Sequence, residues 1–439
     1  MNAALAAAVA FAAMLGLIAL RMPVGLAMLV TGSVGYIHLA GLPAFLNYMK
    51  STPYYLFSNY TLSVIPLFIL MGALAERSGL STALFRAAAG LVGHRRGGMA
   101  MAVIGACTLF GAICGSSVAT TATFSRAALP ELRRYRYQDA LATGTVAVGG
   151  TLGILVPPSV ILVVYAITTE QNIAKLFQAA FIPGLLAALF YCIVIAVVVR
   201  RNPQAGPAHA AVPMRERWRA LAAIWPALII AVVVVGGIYG GVFTPTEGAA
   251  VGAIAMLVTA LLQRALDWAG LRQALVQTAD TSAMIFAILL GAEVFDSFLG
   301  LSQLPARAAE MVAEAGLPPY GVIALLLVFY ILLGAVMDEL AMILLTLPVF
   351  FPIVAALDLG MFPDEVAIWF GILVLIVVGV GLTAPPIGLN VFVVSSIARD
   401  VPIVTTYRGV LPFLLADIIR LALVVLFPGL SLVVVRLLN

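Results

Sequence analysis

Two short segments carry residue types from which a site for an ion and a ligand could be built. Residues 149–159 and 379–388 each lie within a long apolar run and contain glycines and a Pro-Pro pair. Glycine favours non-helical backbone and proline lacks the amide that continues a helix, so we expect both segments to interrupt a helix and free carbonyl oxygens. Clustered carbonyl and hydroxyl oxygens suit a cation such as Na⁺, and a helix N-terminus suits an anion.

The composition predicts an all-α polytopic membrane protein. Of the 439 residues, 63% are hydrophobic and 10% are charged, and the mean hydropathy is +1.14. Uncharged runs of about 20 residues, long enough to span the hydrocarbon, recur along the chain. The run at 4–20 is followed by Arg21, so we expect a first membrane helix rather than a cleaved signal peptide. The basic residues are scattered over short loops, so no nucleic-acid partner is expected.

Loop charges predict the membrane topology of the first half. Residues 76–97 hold four Arg and one Glu, and residues 131–139 hold three Arg and two acids, so both loops are expected in the cytoplasm. The segment 98–130 between them gives only about 50 Å of helix, scarcely enough for two crossings. We therefore expect a re-entrant helical hairpin, with its tip at Gly115, Ser116 and Ser117.

The second half repeats this order of elements. Residues 282–291 are similar to 63–72, and the segment 319–352 has Met337, Asp338 and Glu339 at its middle. Its flanks are acidic, so this second hairpin is expected to enter from the opposite face. An inverted repeat follows, with about ten full transmembrane helices, two re-entrant hairpins and two broken helices.

The expected boundaries follow from these segments. The first repeat covers 1–199, with scaffold helices at about 1–75, a hairpin at 98–130 and a broken helix at 140–167; a cytoplasmic linker covers 200–219; the second repeat covers 220–439, with a hairpin at 319–352 and a broken helix at 366–397. Further helices are expected near 23–40, 56–75, 177–199, 220–240, 246–262, 277–298 and 409–435.

Several polar residues allow two interpretations. Glu247 fits a capping box with Thr244, although a carboxylate within a membrane segment is also a candidate functional group. Asp338 either caps the returning arm of the second hairpin or acts with Glu339 in cation binding or a proton relay. The acids Asp280, Glu293, Asp296 and Asp417, with Arg420, are expected to be near-interface or bundle-facing polar residues rather than ligands. The three cysteines are expected to be core residues.

Enzymatic function is not expected. The sequence has no phosphate-binding loop, and it lacks the Ser and His or paired Asp motifs of intramembrane proteases. A channel would show repeated filters or charged pore rings. An intramembrane enzyme is the alternative from a different class.

Four motifs resemble the large membrane subunit of the tripartite ATP-independent periplasmic (TRAP) transporters, and the resemblance spans essentially the whole chain. They are residues 115–121, 153–159, 241–247 and 383–388. The resemblance implies an elevator-type, Na⁺-driven importer in the bacterial inner membrane. In such a system a periplasmic binding protein delivers an organic anion, and a small four-helix membrane subunit joins the large one.

The resemblance also implies site residues. About two Na⁺ sites would be formed, the first by Ser116 with backbone oxygens at Gly153, Val156 and Pro158, and the second by Met337 and Asp338 with Gly381, Ala384 and Pro386. The substrate would lie near Ser117, Thr120, Ser159 and Asn390.

The small subunit is expected to be a separate polypeptide, because this chain lacks the four additional N-terminal helices of a fused version. A self-sufficient ion-coupled anion carrier of the same superfamily is the related alternative. The sequence leaves the substrate open among dicarboxylates, sugar acids and other carboxylates.

Overall fold

The computed structural model describes residues 3–438, and this part of the chain is helical, as the composition predicts. The helices of the first half are α1 (Ala3–Ala19), α2 (Val24–Ala40), α3 (Leu42–Phe57), α4 (Val64–Arg77), α5 (Leu80–Val92), α6 (Gly98–Cys114), α7 (Ser117–Arg134), α8 (Asp139–Leu155), α9 (Val160–Thr168) and α10 (Ile173–Arg201). Those of the second half are α11 (Met214–Tyr239), α12 (Pro245–Leu262), α13 (Trp268–Ser302), α14 (Leu304–Glu314), α15 (Pro319–Gly334), α16 (Glu339–Ala355), α17 (Pro363–Gly381), α18 (Leu389–Ile397), α19 (Ile403–Leu426) and α20 (Gly429–Leu438).

Several of these helices can cross a bilayer. Within the described residues, seven spans are long and apolar enough, and α8 with α9 makes an eighth if that pair, bent by 44°, is counted as one. The seven are the span Tyr60–Arg77, which includes α4, together with α10, α11, α12, α13, α17 and α19. Other apolar helices, such as α2, α6 and α15, are only 10–17 residues long. The protein is therefore polytopic, but length and composition support fewer full crossings than the ten expected.

Two loops inferred from charge contain helices. The basic stretch 76–97 holds α5, and the acidic stretch between α13 and α15 holds α14. In α5, Leu80, Leu84 and Phe85 are buried while Arg86 is exposed, so the helix packs its apolar face on the protein and turns its charge outward. Charge counting detected the basic face of this helix but not its apolar face.

One expected helix begins later and another is divided. The helix placed at 56–75 corresponds to the span Tyr60–Arg77, because α3 ends at Phe57 and a short 3₁₀ turn at Tyr60–Ser63 precedes α4. The helix placed at 409–435 is split into α19 and α20 at Pro428, which cannot donate a backbone hydrogen bond.

The two helix breaks are shorter than the glycines suggested. Helix α8 continues through Gly149, Gly150 and Gly153 to Leu155, so only residues 156–159 are non-helical. A Cβ added to Gly150 would lie 1.7 Å from the Thr121 hydroxyl oxygen. These glycines therefore allow close packing within a helix, and the Pro-Pro pair marks the break itself. The second break covers residues 382–388.

Helices from the two halves pack together in one body. Helix α2 packs against α13 at Gly25 and Gly291, where a Cβ added to Gly291 would lie 2.1 Å from the Gly25 carbonyl oxygen. Helix α4 packs against α12, where a Cβ added to Gly252 would lie 2.4 Å from the Met71 sulfur. Among the described residues, one apolar core extends through both halves.

Candidate functional site

Two helical turns supply the tips around which the site is built. Between α6 and α7, Gly115 adopts a left-handed conformation with φ +64°, and the Ser116 hydroxyl accepts a hydrogen bond from the Ala119 amide at 3.4 Å. Between α15 and α16, the Asp338 carboxylate accepts a hydrogen bond from the Ala341 amide at 3.3 Å. Each tip thus carries an oxygen-bearing side chain that caps the helix returning from it.

The first tip lies against the first break. A Cβ added to Gly153 would lie 2.5 Å from the Ser116 carbonyl oxygen, and one added to Gly115 would lie 3.0 Å from the Pro158 carbonyl oxygen. The Gly153 carbonyl cannot pair with an amide four residues later, because Pro157 has none. Ser116, Gly153 and Pro158 are therefore brought together, with Val156 in the same break.

The second tip lies against the second break. The Ile387 amide donates to the Ala335 carbonyl at 3.2 Å, and a Cβ added to Gly381 would lie 2.9 Å from the Gly334 carbonyl oxygen. Met337 and Asp338 lie at the tip, and Ala384 and Pro386 lie in the break facing it. The Pro386 carbonyl also accepts a hydrogen bond from the Tyr407 hydroxyl at 2.9 Å. The second tip and the second break are thus neighbours, and this break is more exposed than the first. The role of these residues as cation ligands stays a prediction.

The residues expected to contact substrate are fully buried. The Asn390 amide donates to the Ser117 hydroxyl at 2.8 Å and to the Ala147 carbonyl at 3.1 Å. The Thr120 hydroxyl donates to the Ser116 carbonyl at 2.7 Å, and the Ser159 hydroxyl caps α9 at the Leu162 amide. The structure joins these residues to the first tip, but it does not place them on the wall of a cavity. Their role in substrate binding stays a prediction.

A cavity of about 620 Å³ lies between the two tips. Its wall includes the first residues of four helices, namely Val118 and Ala119 of α7, Val160 and Ile161 of α9, Glu339 and Leu340 of α16, and Leu389 of α18. Helices α4 and α13 close the opposite side with residues such as Gly72, Glu76, Gln277 and Thr281. Helix N-termini carry partial positive charge and unpaired amides, so the arrangement is suited to an anion.

The cavity wall also holds two arginines that the sequence motifs do not identify. Arg126 lies 3.6 Å from Glu76, and Arg77 donates to the Gln273 side chain at 2.6 Å. Arg126 is the one charged residue in the segment 98–130, which is a signal that the sequence did offer. Arg77 stands at the end of α4 and was assigned to a loop.

A buried ionic cluster stands behind the first break. Asp417 and Arg420 of α19 form an ion pair at 2.8 Å, and the Tyr191 hydroxyl of α10 donates to Asp417 at 2.8 Å. The same hydroxyl is 3.1 Å from the hydroxyl of Thr151, two residues before Gly153. Asp417 and Arg420 face the bundle, as predicted, and they connect α19 to the helix that carries the first break.

Two other expectations are resolved by direct contacts. The Thr244 amide donates to the Glu247 carboxylate at 2.8 Å and the Glu247 amide donates to the Thr244 hydroxyl, so Glu247 forms the capping box. Cys107 and Cys114 are buried and unbridged, and Cys192 is partly buried, as expected of packing residues.

The comparisons with known proteins agree with one another. The family model described as "Tripartite ATP-independent periplasmic transporter, DctM component" matches residues 11–430. The chain is 39% identical to the C4-dicarboxylate TRAP transporter large permease protein DctM of Pseudomonas aeruginosa, over 85% of this chain and 86% of that protein. It is 31% identical to the sialic acid TRAP transporter large permease protein SiaM of Vibrio cholerae, over 85% and 86% respectively.

A solved structure has a similar fold. The YdaH transporter of Alcanivorax borkumensis superposes with a TM-score of 0.61 at 17% identity, covering 88% of this chain and 89% of that one. The family match covers nearly the whole sequence, and the relatives are transporter permeases rather than enzymes. The chain therefore belongs to the DctM component family of the tripartite ATP-independent periplasmic transporters.

Proposed function

We propose that this chain is the large permease subunit of a Na⁺-coupled transporter that imports an organic carboxylate by an elevator-type mechanism. The observation that carries the proposal is the convergence of four helix N-termini on one cavity between the hairpin tips. A carboxylate placed there would meet backbone amides and the positive ends of α7, α9, α16 and α18. The names of two relatives, a C4-dicarboxylate permease and a sialic acid permease, support this class of substrate.

Sodium coupling is supported by the oxygen atoms at the two tips. Around the first tip, the Ser116 carbonyl oxygen lies close to Gly153 and the Pro158 carbonyl oxygen lies close to Gly115, and the Ser116 hydroxyl belongs to the same tip. Neutral oxygens of this kind fit a hard monovalent cation. At the second tip, the Asp338 carboxylate would add a negative charge to the carbonyls of Gly381, Ala384 and Pro386. A bound Na⁺ would hold a tip against its break, which is how ion binding would favour substrate binding.

An elevator motion is supported by the reciprocal packing of the two halves. Helices α2 and α4 of the first half pack against α13 and α12 of the second, and by sequence similarity α2 matches α12 and α4 matches α13. These four helices would form the scaffold. The hairpins α6 with α7 and α15 with α16, together with the broken helices, would form the moving domain. The cavity lies where α4 and α13 of this scaffold meet the hairpin tips.

The partners proposed are a separate small membrane subunit and a periplasmic binding protein, in a bacterial inner membrane. The tripartite organisation named by the family supports this assignment. The binding protein would deliver the carboxylate and the scaffold would receive the small subunit.

Uptake into proteoliposomes tests the proposal. The chain, the small subunit and the binding protein encoded beside it would be combined with a radiolabelled carboxylate that this binding protein holds. Uptake is expected to require all three proteins and an inward Na⁺ gradient. Uptake by this chain alone, or uptake of equal rate without a Na⁺ gradient, would contradict the proposal.

A further inference from the structure

Glu339, the first residue of α16, is an unusual component of the cavity wall. Its side chain lines the cavity, yet the residue is only 8% exposed. Its Oε2 atom has no hydrogen-bond partner among residues 3–438. A buried carboxylate oxygen without a partner is costly, because it has lost its water without gaining a donor in return.

The cationic side chains of the same cavity are engaged with other groups. Arg126 is paired with Glu76 at 3.6 Å, and the Arg77 guanidinium donates to Gln273 and Gln277 of α13. The neighbouring Asp338 carboxylate already accepts the Ala341 amide in its role as helix cap. Glu339 is thus a carboxylate that faces a ligand-sized cavity with one oxygen still able to accept a hydrogen bond.

This carboxylate constrains what the cavity can hold. A substrate carboxylate is favoured near the helix N-termini. A hydroxyl or ammonium group on the same substrate would instead donate to Oε2 and remove the cost of the unpaired oxygen. The helix N-termini and the Glu339 Oε2 atom lie on the wall of the same cavity. A ligand that carries both a carboxylate and a hydrogen-bond donor therefore pairs with more of these groups than a plain dicarboxylate does.

We propose that Glu339 is a specificity-determining residue that accepts a hydrogen bond from a donor group on the transported acid, so that the preferred substrates are hydroxy or amino carboxylates. This inference rests on the proposed function, since it identifies the substrate class of the same cavity. It is independent of the binding protein's own selectivity, because the donor is recognised within the membrane subunit.

A thermal-unfolding titration of the purified complex of this chain with its small subunit tests the inference without the binding protein. The probes are succinate, its 2-hydroxy derivative malate and its 2-methoxy derivative, which keeps the ether oxygen but has no donor, all at constant Na⁺. We expect malate to stabilise the complex at concentrations about tenfold lower than succinate, as one additional buried hydrogen bond would give. The methoxy acid is expected to lose this advantage.

Variants then locate the effect. Glu339→Met, which removes the acceptor but keeps the volume, is expected to bring the malate and succinate midpoints together. Glu310→Met is the control, since it removes an exposed carboxylate on α14 that does not line this cavity, and it is expected to keep the tenfold difference. The comparison of the three acids on the unaltered complex decides the question even if Glu339→Met does not fold.

Three results would overturn the inference. Equal stabilisation of the unaltered complex by malate, succinate and the methoxy acid would remove it while leaving the proposed function standing. A Glu339→Met complex that keeps its discrimination but loses stabilisation by Na⁺ would make Glu339 a cation ligand instead. Stabilisation by none of the acids would contradict both the inference and the proposed function.

Discussion

Each of the two half-sites consists of a tip and the helix break facing it, and the two differ in how deeply the break is buried. At the first, residues 151–160 are all buried, and the tip at Ser116 packs directly on Gly153. At the second, Pro385, Pro386 and Ile387 are exposed, and so is Asp338 at the facing tip. Similar sequences have therefore produced a closed half-site and an open one.

The difference follows from what lies behind each break. Thr151 connects the first break through Tyr191 to the buried pair of Asp417 and Arg420. The second break is held from behind by the Tyr407 hydroxyl, which donates to the carbonyls of Pro386 and Ile387. We infer that the first half-site is a rigid support and that the second is the part whose tip can open and close.

Removing the buried ion pair should have the largest effect. Asp417→Ala leaves the Arg420 guanidinium uncompensated, and breaking a buried pair in this way costs about 3–5 kcal/mol. We expect a large fall in the unfolding temperature of the purified complex. Asp400→Ala is the control, because Asp400 is an exposed partner of Arg133, and little change is expected. An Asp417→Ala complex as stable as the unaltered one would show that the first half-site is not anchored there.

A substitution that crowds the first tip should have the second-largest effect. A methyl group at Gly153 would lie 2.5 Å from both the Ser116 carbonyl oxygen and the Thr120 hydroxyl oxygen. Gly153→Ala is expected to cost about 1–3 kcal/mol by overpacking and to weaken the Na⁺ dependence of uptake. In the second half Gly379→Ala meets its nearest atom at 3.6 Å, an ordinary contact, and should be tolerated. Equal tolerance at both glycines would contradict the packing argument.

Substitutions at the helix caps of the two tips can distinguish an effect on folding from an effect on ion binding. Ser116→Ala removes a helix cap worth about 1 kcal/mol and, in the proposed site, a Na⁺ ligand. We expect the Na⁺ concentration for half-maximal uptake to rise about fivefold or more, with a smaller loss of thermal stability. Asp338→Asn keeps a cap and removes a charge, so an increased Na⁺ requirement with unchanged stability would assign Asp338 to the cation. An unchanged Na⁺ response in Ser116→Ala would count against the first site.

The smallest effect is expected at the open half-site. Tyr407→Phe deletes the hydroxyl that holds the carbonyls of the second break, and such hydrogen bonds contribute about 1 kcal/mol each. The expected result is faster amide hydrogen exchange, or faster proteolytic cleavage, within residues 382–390, with little change in overall stability. Tyr54→Phe, at an exposed position, serves as the control. Unaltered exchange in Tyr407→Phe would mean that other contacts hold this break.

The parts of the fold that sequence could predict are those set by local chemistry. Ser116 and Asp338 predict helix caps, and Glu247 predicts a capping box. The Pro157–Pro158 pair ends a helix whatever surrounds it. The glycines were misjudged because a glycine in an apolar run can serve close packing as well as a break, and only the partner at Gly150 or Gly153 distinguishes the two.

The candidate site was only partly predictable for a similar reason. The oxygens of the tips follow from the motifs, but the cavity arises from the approach of α4 and α13 to the hairpins. Arg77, Arg126 and Glu339 acquire their places from that tertiary packing. Asn390 and Ser117, which the resemblance places near the substrate, bond to each other across 273 positions, a contact that sequence spacing does not reveal.

The central claim is that the hairpins move against α4 and α13, and one pair of residues lies across that boundary. Glu76 of α4 and Arg126 of α7 form the ion pair between the proposed scaffold and the proposed moving domain. Arg133 of α7 and Asp400, in the loop that directly follows α18, form a comparable pair at 3.0 Å, and we assign this loop to the moving domain. The hydrogen bond from Arg133 lowers the pKa of the Asp400 carboxyl.

Cross-linking across each pair gives the most direct measurement. In a background without the three native cysteines, one variant carries cysteines at both positions 76 and 126, and a second carries cysteines at both positions 133 and 400. Na⁺-driven uptake would be measured before and after treatment with a short, reducible thiol cross-linker. Elevator motion predicts that the link at 76 and 126 abolishes uptake until it is reduced, whereas the link at 133 and 400 leaves uptake unchanged. Full uptake by the protein linked at 76 and 126 would contradict the account.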